Sequence, residues 1–200
     1  MGFSTLLDIL GSTVIGGLLF MILLRMNDTA TQNTFTFAGE AQVQQNLVSV
    51  VELLEYDFRK IGYCADFTKI PVPSKAIIAA DSTSIKFLTD VYPADGVVDT
   101  MRYYLGSADE LSGTPNPRDK MLYRVVNSES PKGSNLGVTR FSITYFNALG
   151  NKIPFPISVP GEIYTMEIDV KVENTAAYNE EYSNAFWRQI RLAARNIRNR

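Results

Sequence analysis

Few side chains in this sequence are placed to do chemistry. Asp90, Asp95 and Asp99 flank a glycine turn at Gly96, and carboxylates gathered in this way are the oxygen ligands that a calcium ion takes. Their spacing matches no EF-hand loop, and aspartates that hold a turn by accepting backbone N–H groups account for them better. Glu52 and Glu55 make a second acidic pair, on what reads as an exposed helix face without a pocket. Asp57 and Arg59 lie two residues apart, so they do not face each other on a helix and carry no joint chemistry. The chain has no histidine, the commonest general base and transition-metal ligand. Its single cysteine, Cys64, excludes an internal disulfide. Glycine-rich phosphate loops, nucleophile elbows and paired-cysteine motifs are missing. The expectation is a protein that is not an enzyme and needs neither cofactor nor metal.

Charge is concentrated at the C-terminal end. Arg188, Arg191, Arg195, Arg198 and Arg200 lie in SNAFWRQIRLAARNIRNR and belong to the chain's 19 basic residues, while the whole chain carries a formal net charge of −2. The first four arginines share one helical stripe, but a closing strand is equally open to this segment. DNA, an acidic lipid surface or an acidic neighbouring subunit would suit such a tail. The simpler assignment, and the favoured one, is a closing element whose arginines answer acids of their own domain or of the next subunit.

What positions these residues begins with the first 24, MGFSTLLDILGSTVIGGLLFMILL. Asp8 is the only charge before Arg25, and Leu6 to Leu24 is nearly unbroken apolar chain. At about 1.5 Å per residue a helix of this length just crosses the hydrocarbon of a bilayer. A cleaved signal peptide, which wants a positive start, a shorter apolar core and a small-x-small cleavage site, fits poorly, because Met1 to Thr5 carry no Lys or Arg. Residues 26–38 (MNDTATQNTFTFA) are polar, rich in Thr and Asn, and predict a break or an extended linker. Asn27, Asp28 and Thr29 form an N-x-T sequon, so Asn27 and Thr29 are the glycosylation candidates, with an unmodified linker the favoured reading.

A second helix is expected over residues 39–62. Val43, Leu47, Val50, Leu54, Phe58 and Ile61 recur at spacings of three and four and make one apolar stripe, and Gly62 supplies a natural stop. Beyond Cys64 the texture is that of short strands: 76–80, 84–89, 97–105, 121–126, 139–146 and 164–173, separated by turn residues such as Pro93-Ala94-Asp95-Gly96. Met166, Ile168, Val170 and Val172 alternate with Glu167, Asp169, Lys171 and Glu173, which predicts one buried and one wet face. The class read from this is α+β. It comprises a hydrophobic N-terminal helix (1–25), a polar break (26–38), an amphipathic helix (39–62) and an antiparallel β domain (63–200) that covers the stripe. With 46% hydrophobic residues, 200 residues suit one membrane helix and one globular domain.

Two stretches carry a family resemblance. The run Gly2-Phe3-Ser4-Thr5-Leu6-Leu7-Asp8 is similar to the start of a type IV pilin. The segment LLEYDFRKIGY (53–63), with Asp57, Arg59 and the closing Gly62-Tyr63, resembles the signature of W-type minor pilins and of J-type pseudopilins of type II secretion. The order of later pieces resembles the same family: Ser84-Ile85-Lys86-Phe87, Arg102-Tyr103-Tyr104, Leu122-Tyr123-Arg124, then Phe141 to Tyr145 before the Gly150 turn.

The resemblance implies processing between Gly2 and Phe3 and methylation of the new N-terminus, with Asp8 sixth rather than at the family's usual fifth position for the acid. It also implies an inner-membrane subunit that later joins an extracellular filament, either a homo-oligomer or one shared with other pilin subunits. Asp8 would pair with a neighbour's N-terminal amine. Gly11, Ser12, Gly16 and Gly17 would let helices approach closely, and Leu18, Phe20 and Leu23 would pack in the filament core. An exported binding or sensor domain on a single-pass anchor needs the same anchor and the same β domain, and stays the alternative. Arg25 mildly favours a cytoplasmic C-terminal side, against the exported placement adopted here.

Overall fold

The computed structural model describes residues 2–176 and 181–192, with side chains through Gln189. One helix, α1, runs from Gly2 to Arg59. The break expected over residues 26–38 is not there, and there is no separate second helix. The reason lies in the threonines that suggested a break. The hydroxyls of Thr29, Thr31 and Thr34 donate to the carbonyls of Arg25, Asn27 and Ala30, each four residues back, at 2.9, 3.0 and 2.9 Å. Bonded this way, they stop competing for the backbone N–H groups that the helix needs. Neither Pro nor Gly interrupts the chain between Gly17 and Gly39.

By its internal contacts the chain divides into two units, Met1–Gly39 and Glu40–Arg200. Within the described residues the first is helix alone. The second takes the last turns of α1 and eight strands. Strands β1 (Ile77–Ala80), β2 (Ser84–Thr89), β3 (Asp99–Leu105), β4 (Leu122–Val126) and β5 (Lys132–Ser134) form one antiparallel sheet in that order. Strands β6 (Val138–Phe146), β7 (Thr165–Glu173) and β8 (Asn184–Leu192) form a second. The class is α+β, as expected. Six strands fall where turn chemistry and alternation place them. The short, wholly exposed β5 has no apolar pattern to announce it, and β8 settles the form of the tail as strand through Leu192.

The stripe Val43, Leu47, Val50, Leu54, Phe58 and Ile61 is buried in one cluster with Ile85, Phe87, Met101 and Tyr103 of the first sheet and Phe141, Ile143, Ile168 and Val170 of the second. Phe58 meets Phe87 and Tyr103 edge to face, with ring centroids 5.8 and 5.4 Å apart. Gly62 ends the helical run with φ of 74°, a left-handed conformation that glycine adopts without strain. Its N–H donates to the Leu88 carbonyl at 2.9 Å, and Thr89 Oγ1 donates to the Lys60 carbonyl at 3.0 Å, so the helix end is stitched to β2.

Candidate functional site

The feature with the largest unmet physical demand is the N-terminal part of α1. From Phe3 to Met26 no large apolar side chain is buried: Phe3, Leu18, Phe20 and Leu23 are 78%, 54%, 61% and 63% exposed. A Cβ added at Gly2, Gly11, Gly16 or Gly17 would meet nothing within 4 Å. Ser12 and Thr13 turn their hydroxyls inward to the Ile9 carbonyl, at 2.9 and 2.7 Å, which leaves little polar surface among these residues. Asp8 stands exposed in the same stretch. Each Leu, Ile or Phe left in water forgoes about 1.5–3 kcal/mol, so a stretch of this length is costly to leave uncovered. The helix is long and apolar enough to cross a membrane.

The second unit contains a buried polar constellation that pins α1 to the first sheet. Asp57 is 2% exposed. Its Oδ2 accepts from the Tyr103 hydroxyl at 2.5 Å and from Arg124 Nε at 2.7 Å, and Oδ1 accepts from Arg124 Nη2 at 3.4 Å. Tyr103 and Arg124 are directly opposite each other on β3 and β4. Burial, and then the charge of Asp57, push the Tyr103 hydroxyl far above its ordinary pKa, so it stays a donor. Burial alone would lower the pKa of Arg124, but its bonds to Asp57 outweigh this and hold the guanidinium charged. An apolar cavity of about 200 Å³ adjoins the group, lined by Val50, Leu53, Tyr103, Leu122, Arg124 and Leu136.

Sequence reasoning gave Asp57 no role because its neighbour Arg59 faces away. Arg59 indeed pairs with Glu55 instead, at 3.2 Å on the surface. A signal was present: position 57 lies beside Leu54, Phe58 and Ile61, inside the apolar stripe, where a carboxylate must have a partner.

The aspartates of the Gly96 turn are occupied by backbone. Asp90, fully buried, accepts from the N–H groups of Ala65, Gly96 and Asp95 at 2.9, 3.0 and 3.2 Å. Burial would raise its pKa, but these three bonds outweigh it and hold the carboxyl below the usual range. Asp95 accepts from Val97 N and Asp99 from Val91 N, at 2.9 and 3.0 Å. They are turn clasps, as favoured. Cys64 lies buried beneath this clasp, where burial raises its thiol pKa, the reverse of what a reactive thiolate needs. Among the described residues no three His, Cys, Asp or Glu groups converge.

No protein-family model matches the chain, and no curated protein matches it either. What the structure adds to the resemblance is a consistent architecture: a long apolar N-terminal helix followed by antiparallel sheet.

Of the tail arginines, Arg188 reaches Asp169 Oδ1 at 2.6 Å and Glu167 Oε1 at 3.8 Å across the β7–β8 ladder. It answers acids of its own domain, the favoured reading. Arg191 lies on β8, but its side chain, together with Arg195, Arg198 and Arg200, falls outside the described residues. Asn27 and Thr29 of the sequon sit mid-helix, with the Thr29 hydroxyl already bonded to Arg25. The structure brings Asp8, Gly11, Ser12, Gly16, Gly17, Leu18, Phe20 and Leu23 onto one uncovered helix. It does not bring them to a pocket.

Proposed function

We propose that this chain is a structural subunit, major or minor, of a type IV pilin-like filament, and that it is not an enzyme. The observation that carries this reading is the division within α1. Its C-terminal turns are sealed into the β domain, while the stretch from Phe3 to Met26 offers a helix's whole apolar circumference to something outside the chain. In this reading the apolar stretch first lies in the inner membrane. It then exchanges lipid for the helices of neighbouring subunits, with Gly11, Ser12, Gly16 and Gly17 allowing close approach and Asp8 meeting a neighbour's N-terminal amine. The β domain forms the outer shell of the extracellular filament. A filament core asks for helices in contact all round, and a stretch apolar on every side meets that demand.

The competing reading keeps the same helix in lipid as the anchor of an exported binding or sensor domain. The intact mass of the native protein, taken from material sheared off cells and read with its N-terminal peptide, separates the two. The filament reading expects the sheared fraction to contain a chain that begins at a methylated Phe3. An unprocessed chain confined to the membrane fraction would overturn it.

A further inference from the structure

The inner face of the first sheet is left unfilled at one edge. Strand β5 ends that sheet, and its register sets Ser134 opposite Leu122 and Lys132 opposite Arg124. The turn of α1 that contains Ser49, Val50 and Leu53 makes the facing wall. Ser49 and Ser134 are small, and the Ser49 hydroxyl is spent within the helix on the Gln45 carbonyl, at 3.0 Å. Beside the gap, Asn46 Nδ2 ties α1 to the Leu136 carbonyl at 3.2 Å. A cavity of about 200 Å³ remains between the two walls. Protein interiors seldom leave a void larger than a water molecule, so an opening of this size asks for an occupant.

The walls are apolar and the charge on them has one sign. Val50 and Leu122 are buried, Leu136 is half-buried and Leu53 is exposed. Arg124 and Lys132 both line the cavity, and among the described residues no acid does. Like charges directly opposite each other on paired strands are destabilising, and an anion between them removes that cost. Asp57 takes Nε and Nη2 of Arg124 but not Nη1. Lys132 pairs with Glu129 at 3.0 Å, with the two side chains 71% and 54% exposed. So exposed a pair contributes little, which leaves the ammonium free to take another partner.

We propose that this cavity binds a small organic carboxylate, its apolar body enclosed by Val50, Leu53, Leu122 and Leu136 and its carboxylate held by Arg124 and Lys132. Size limits the ligand. An apolar cavity of about 150 Å³ takes up one benzene ring, so a single ring or a chain of similar bulk suits the space between α1 and β5. A guanidinium offers paired N–H groups to a carboxylate, and an ammonium adds a point charge. A cationic ligand of the same shape would meet two like charges, and a neutral one would leave them opposed. The proposal holds whether or not the chain joins a filament.

The test uses the full chain in phosphatidylcholine nanodiscs, titrated calorimetrically with sodium benzoate and corrected against empty nanodiscs. Benzyl alcohol supplies the same ring without the charge, and acetate the charge without the ring. The expected result is a saturable benzoate heat with a Kd of about 0.1–1 mM, and binding at least about tenfold weaker for both controls. Ser49→Phe, which puts a ring of the chain's own at the cavity wall, should abolish the benzoate heat, and Lys132→Gln should weaken it by about three- to tenfold. No benzoate heat in the wild type would overturn the proposal. Benzyl alcohol or acetate binding as tightly as benzoate would overturn it too, since the site would then not require both features. Undiminished benzoate binding in Ser49→Phe would put the ligand elsewhere and overturn the site. Should Ser49→Phe fail to fold, Lys132→Gln decides: an unchanged benzoate Kd in that variant overturns the assignment.

Discussion

The two portions of α1 are one helix built to two specifications. In residues 43–61 Val43, Leu47, Val50, Leu54, Phe58 and Ile61 make a stripe that is covered, while Val48, Leu53 and Tyr56 share the exposed faces with Glu52 and Arg59. In residues 3–26 apolar side chains lie on every face and none is covered. A one-sided pattern asks for a single sheet surface from the same chain, whereas an all-round pattern asks for surroundings on every side, which only lipid or a bundle provides. The difference teaches that one element holds both a length that stabilises its own domain and a length whose cover must come from outside it.

Substitutions test that separation. The largest loss is expected from Asp57→Ala, which strands the half-buried Arg124 guanidinium and the Tyr103 hydroxyl: about 3–5 kcal/mol off the unfolding free energy, measured by denaturant titration followed through Trp187 fluorescence. Leu54→Ala, at a fully buried position, should cost about 2–5 kcal/mol in the same titration. Leu19→Ala removes the same atoms from the uncovered portion and should leave that midpoint unchanged; on the filament reading proposed above it should also lower filament yield. A matching loss of domain stability would break the comparison.

An intermediate effect should come from the Asp90 clasp, and it carries a sign in pH. The folded carboxyl titrates below its ordinary value, so its contribution is present above the unfolded pKa and is lost as pH falls through the folded one. Stability measured from pH 6 down to pH 2 should therefore drop more steeply in the wild type than in Asp90→Asn, which forgoes about 1–3 kcal/mol at neutral pH. The smallest effect belongs to Thr31→Ala. It exchanges a back-bonded threonine for a better helix former, and should move helicity by circular dichroism slightly upward, within about 0.7 kcal/mol. A drop in helicity would mean that the threonine bonds themselves hold the helix across residues 26–38.

Much of the β domain was legible because turns and alternation are local. Strand β2 lies where the sequence places it, β7 differs by one residue, and Gly62 ends the helical run as its left-handed φ allows. Three things were not legible. Continuity of α1 through residues 26–38 is compatible with threonines only in rotamers that donate backward, which propensity alone does not register. The partners of Asp57 lie 46 and 67 residues away, on strands whose register no local pattern discloses. The tail spaces its arginines like a helix, yet as far as Leu192 it forms β8, because the open edge of β7 supplies a ladder for it. The uncovered helix was legible in full, since a run of apolar residues without charge needs no tertiary knowledge to recognise.

The buried cluster begins at Val43 and closes only with Ala185 on the last strand. On a ribosome, where the chain emerges from its N-terminus, the covered stripe is therefore synthesised long before most of the residues that will shield it. The membrane-length segment has left the tunnel earlier still. For most of its synthesis the chain carries two unshielded apolar surfaces close together in sequence, and only one of them is covered in the finished fold. Most of that shield lies in β2, β3, β6 and β7, so a chain cut short before β6 would leave part of the stripe open to the wrong partner.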